Sequence, residues 1–93
     1  MNIDKLVKCF EKEIKFFEFF VNTAKAEVKD NNEEEKIHLF IYTEDIMHEG
    51  TFTYKQAFNS ELDEETFAFV IFQKFVEKTM ELMLSNMIES EEE

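Results

Sequence analysis

An all-helical fold is what this sequence predicts, and three observations predict it. One Gly and no Pro stand among 93 residues, so the breakers that multi-stranded β folds place in their turns are scarce. Ile3, Val7, Phe10, Ile14, Phe17, Val21, Ala24 and Val28 recur at alternating steps of four and three, which makes an unbroken helical seam. Further on, Asp63 followed by Glu64, Glu65 and a long apolar run has the form of a capped helix start. Together these predict one domain over the whole chain, an all-α bundle of about four to six helices with long first and last members.

The first helix is expected from about Ile3 to Lys29. At about 100° per residue, Leu6, Cys9, Phe16 and Phe20 widen the seam to roughly half the helix, with Phe19 opposite, among Lys8, Lys12 and Lys15. A helix packed on one small core needs a narrower stripe than that. It is therefore read as serving a core and a partner at once. Asp30-Asn31-Asn32 suits a turn. Glu33, Glu34 and Glu35 then fit the first turn of a second helix, where the macrodipole favours negative charge. That helix would carry Ile37, Phe40, Ile41 and Ile46 inward and end in a left-handed cap at Gly50.

Thr51 to Asn59 reads as a short helix or turn holding Phe52, Tyr54 and Phe58. In the last helix Asp63 is the N-cap, and Leu62 and Phe67 have the spacing of a hydrophobic staple. Thr66 to Gln73 is apolar nearly all round and must be covered on most sides. Phe75, Val76, Met80, Met83, Met87 and Ile88 continue the pattern, with Leu82 and Leu84 on a second face. The methionines serve either as core filler or as an adaptable binding surface. The tail at Ser90 to Glu93 is expected to be frayed, disordered and solvated.

The formal charge is −12, from 10 Lys and 22 acidic residues. Such a surface repels phosphate backbones and anionic membranes, so direct nucleic-acid or membrane binding is disfavoured. It suits a basic protein partner, of which nucleic-acid-binding proteins are the commonest. The single Cys9 fits a reducing cytoplasm and a packing role. No signal peptide or membrane-spanning run is recognised.

Catalytic signals are absent: no nucleophile motif, phosphate loop or CxxC pair is present, and there is no Arg to fork a phosphate or carboxylate substrate. No cofactor is expected, and the chain is read as acting by binding. A weaker metal reading remains. Glu35-x-x-His38 and Asp45-x-x-His48, helped by Glu13, would imitate half of a ferritin-like di-iron site completed by dimerisation, if each pair lay one helical turn apart.

Around His48-Glu49-Gly50 the chain resembles the AsiA family, small anti-sigma factors of T-even-type bacteriophages. Met1-Asn2-Ile3-Asp4, Phe40-Ile41, Ile46-Met47-His48-Glu49-Gly50 and Ser60-Glu61-Leu62 ahead of a capped last helix carry the resemblance. It implies an all-helical protein, homodimeric through its first helix when free. It also implies exchange of that contact for region 4 of the host RNA polymerase primary sigma factor. Host promoter recognition would be inhibited and, with a phage transcription activator, phage middle promoters could be co-activated. The expected partner-binding residues are Phe10, Ile14, Phe16, Phe17, Phe20, Val21, Phe40, His48 and Glu49. The alternative is an acidic DNA mimic that inhibits a nucleic-acid-binding host defence protein, of anti-CRISPR or anti-restriction type.

Overall fold

The structure is a computed structural model that describes the backbone of residues 1–92 and the side chains of residues 1–86. Its elements are α1 (Ile3–Phe20), β1 (Lys25–Asn31), β2 (Lys36–Tyr42), β3 (Met47–Thr53), α2 (Tyr54–Asn59) and α3 (Glu64–Glu92). The strands form one antiparallel sheet in the order β1-β2-β3. The fold is therefore α+β, and the all-α expectation is overturned between residues 21 and 53.

Helix α1 stops at Phe20, where Val21 leaves helical geometry at φ −119°, ψ 80° while its N–H still reaches the Phe17 carbonyl. Ala24 and Val28 fit the seam of a longer helix but lie before and within β1. Lys36 to Tyr42 forms a strand because its apolar residues alternate. Ile37, Leu39 and Ile41 are buried, while His38, Phe40 and Tyr42 point the other way. That period of two outweighs the three- and four-residue spacings that also run through the segment.

Glu33 to Glu35 lie in the hairpin turn between β1 and β2, and no helix starts there. The Glu34 N–H donates to Asn31 Oδ1, and Glu35 takes a left-handed φ of 54°. Gly50 caps nothing. It lies within β3 opposite Leu39 and has no positive φ.

Both long helices open on a side-chain cap, of which the sequence foretold the one at Asp63. Asn2 caps α1 by accepting the Lys5 N–H, and Asp63 accepts the Thr66 N–H at 2.7 Å to open α3. Asn2 N–H also donates to Glu64, Phe10 packs edge-on to Phe67, and Phe17 edge-on to Phe72. Contacts that advance together along both helices mean that α1 and α3 run parallel. Both positive dipole ends then lie at one end of the molecule, where Asp4, Asp63, Glu64 and Glu65 offset them.

The core lies between this helical pair and the inner face of the sheet. Leu6, Phe10, Ile37 and Ile41 are fully buried there, with Phe52, Phe67, Phe72 and Phe75 around them. Helix α3 outruns the sheet. At about 1.5 Å per residue its 29 residues reach about 43 Å, against about 23 Å for a seven-residue strand. The molecule is accordingly 47 Å long and only 25 by 22 Å across. The expected frayed tail lies outside the described side chains, and Glu93 outside the described backbone.

Candidate protein interface

At the end where α1 stops, the helical layer runs out of sheet to cover. The last turn of α1 is Phe17-Glu18-Phe19-Phe20, without the cation that a solvated helix C-terminus favours. Phe19 and Phe20 are 79% and 78% exposed and meet each other edge to face at 5.3 Å. Phe16 is 54% exposed one turn earlier, and Val21 follows at 40%. Glu18 fixes this end to the sheet by accepting the Ala26 N–H at 3.0 Å.

Two apolar depressions meet here. A groove of about 430 Å³ between the helices is walled by Phe16, Phe17, Phe20, Phe69, Phe72 and Val76. A pocket of about 420 Å³ opens between the end of α1, the sheet and the overhanging part of α3. Ile41 and Ala24 floor it, Phe17, Val76, Met80 and Met83 wall it, and Thr43, Glu44 and Asp45 stand at its edge. Phe17 and Val76 line both, so groove and pocket are two sides of one ridge. The edge is set by the β2–β3 turn. Thr43 Oγ1 accepts the N–H groups of Asp45 and Ile46, and the Thr43 N–H donates to the Ile46 carbonyl.

Carboxylates stand at both ends of the long axis, Glu44 and Asp45 beside the pocket among them. At the opposite end lie Asp30, the Glu33–Glu35 turn, Glu61 and Asp63 to Glu65. There the Tyr54 hydroxyl donates to Asp30 and the Tyr54 N–H to the Glu35 carbonyl. Burial first, and then Asp30, push the Tyr54 hydroxyl up to about 12. Burial, followed by the Glu65 carboxylate, also raises the Cys9 thiol, which keeps it protonated and suits a packing role.

The residues expected to bind a partner separate into three groups. Phe16, Phe20 and Val21 gather at the apolar end, with Phe17 half-buried beneath them. Phe10 and Ile14 are 0% and 7% exposed and belong to the core. Phe40, His48 and Glu49 lie on the sheet, on two different faces. Phe40 sits in the open outer face between His38 and Tyr42, with Lys29 over its ring at 5.5 Å and Glu49 opposite it on β3. His48 faces inward, stacks on Phe75 at 4.5 Å, and meets Thr79 Oγ1 at 2.7 Å through Nδ1. Because the Thr79 hydroxyl donates to the Phe75 carbonyl, Nδ1 is the protonated nitrogen of His48. Burial, and then Lys78, lower the pKa of His48.

The four residues of the metal reading are not on helices and do not converge. Glu35 and Asp45 occupy turns at opposite ends of β2, and His38 and His48 lie on opposite faces of the sheet. Among the described residues no three His, Cys, Asp or Glu side chains form a metal-holding group. A ferritin-like site is thereby corrected, since the one-turn spacing it needs is strand spacing here. No described helix is long and apolar enough to cross a membrane.

Sequence reasoning set Phe19 apart from the seam and did not place Phe69 or Glu44 in any site. The signal that could have found this end was the Phe16-Phe17-Glu18-Phe19-Phe20 run, which no single helix face can bury. The chain matches no family model, no curated protein and no solved structure. Fold and surface together define a small α+β domain with one covered and one open sheet face, exposed phenylalanines at one end and the acidic β1–β2 turn at the other.

Proposed function

We propose that this chain is a binding protein without catalytic activity that captures a basic, nucleic-acid-binding protein through its apolar end. The observation that carries this reading is the exposure of Phe16, Phe19 and Phe20 on one helix turn beside an open pocket. A net charge of −12 would steer a basic partner in while opposing nucleic acid.

Region 4 of a bacterial primary sigma factor is the particular partner suggested by the short matches at Phe40-Ile41, Ile46 to Gly50 and Ser60 to Leu62. Most of those residues lie in β2 and β3. The candidate therefore rests on residue identity alone, without the all-helical scaffold it implied. If it holds, the chain acts in the bacterial cytoplasm as a phage inhibitor of host transcription and, with a phage activator, redirects it. When free, the same apolar end would pair two copies of the chain.

A second reading is favoured by the acidic end, whose clustered carboxylates would imitate DNA toward a host defence protein. Salt separates the two. Mixing with region 4 and following complex size by light scattering across a salt series tests the first. Retention of the complex at high salt, and its loss in Phe19→Ser/Phe20→Ser, support the apolar interface. Collapse of binding with salt, with Phe19→Ser/Phe20→Ser inert, favours the mimic.

A further inference from the structure

We infer that the pocket beside α1 receives one apolar side chain of the partner, and that Glu44 and Asp45 at its edge select an anchor flanked by Lys or Arg. The inference rests on the protein-binding reading above and names the sequence feature that such a partner must carry.

The pocket has the size and walls of a ligand site. Its volume of about 420 Å³ falls within the about 300–1,000 Å³ typical of ligand pockets. The walls are aliphatic and aromatic, with Met80 and Met83 as the movable part. Unbranched thioether side chains refit around differently shaped guests at little cost. Small residues create the space, since Ala24 and Thr79 stand where larger side chains would fill it.

The edge decides what can enter. Glu44 and Asp45 are exposed, and neither side chain has an ion pair among the described residues. The Thr43 hydroxyl and backbone hold the turn that carries them, so both residues border the apolar opening. A fatty acid or phospholipid would bring its anionic head to these carboxylates and be repelled. An apolar side chain next to a cation meets attraction at both points. An amphipathic basic segment has that chemistry, and its anchor would be the hot spot of the interface.

The test uses the full chain and a short amphipathic helical peptide with a central Trp flanked by Lys. Because the protein has no Trp, all indole emission belongs to the peptide. Three results are expected: blue-shifted emission, movement of the Met80 and Met83 methyl resonances with Met1 unmoved, and binding about tenfold weaker in Ala24→Leu. In the exposed variant Glu44→Lys/Asp45→Lys the preference should invert, with a Glu-flanked peptide outcompeting the Lys-flanked one.

Binding that leaves Met80 and Met83 unmoved and ignores both variants overturns the pocket while sparing the partner reading, because the peptide then sits elsewhere on the apolar end. Absence of binding to any Lys-flanked peptide overturns both.

Discussion

The Phe75 ring lies so close to Gly50 that a β-carbon there would stand 2.8 Å from Phe75 Cε1. Gly50 is thus required by a neighbour, since its backbone is ordinary strand. His48, two residues earlier on the same face, stacks on the same ring. The seat of α3 on β3 is therefore built from an absent side chain and a flat one. Gly50→Ala should destabilise the fold by about 1–3 kcal/mol through overpacking. Denaturant unfolding would read this, and Gly50→Ala should cost less on a Phe75→Leu background. Equal costs on both backgrounds would remove Phe75 as the cause.

Core and interface phenylalanines should separate cleanly. Phe10 is fully buried between Phe52 and Phe67, so Phe10→Ala should cost about 3–5 kcal/mol of stability. Phe20→Ala should move stability by no more than about 0.5 kcal/mol and weaken partner binding instead. Ile14→Asp, which a shared first-helix face would make an interface variant, should unfold the chain, because Ile14 is 7% exposed. Circular dichroism with thermal melts distinguishes the three.

The two tyrosines give a spectroscopic check of the sheet and its acidic end. Tyr54 is raised to about 12 by burial and Asp30, and Tyr42 is raised by burial and then by Glu27, to which its hydroxyl donates. Folded values above the unfolded one mean that both protonated phenols favour the native state at neutral pH. That contribution is lost as pH climbs from about 10 toward the folded values. Tyrosinate absorbance should therefore rise later in native protein than in denaturant. Coincident curves would contradict both placements.

The parts of the fold written in local chemistry were legible. Asp63 with two glutamates after it starts α3 as expected, and the Ile3 to Phe17 seam, with Leu6 beside it, marks the face of α1 that meets the core. The sheet was obscured because one spacing supports two readings. Ile37 and Ile41 are four apart, which suits a helix face, and they are also two alternations apart on a strand. His38 and Phe40 between them make the alternation weak by sending aromatic rings to the open face. Scarcity of Gly misled as well, since the turn at Glu35 takes its left-handed geometry without one.

The candidate site was half visible. Phe16 and Phe20 were readable as surplus on α1, but the separation of these two and the seam residue Val21 from Phe10 and Ile14 depends on where the sheet ends. That boundary is set by strand register, which the helical seam does not encode. Phe40 and Glu49 were drawn in by sequence resemblance, and they sit on the outer face of the sheet.

The most direct measurement is site-specific photo-crosslinking in bacterial cells, with a photoreactive phenylalanine analogue at Phe20 and, as control, at Glu34 in the acidic turn. A single basic, nucleic-acid-binding protein crosslinked at position 20 and not at 34 is the expected result. Region 4 of the sigma factor in that band would specify the partner. Crosslinking from position 34 alone would contradict the apolar interface and place binding at the acidic end.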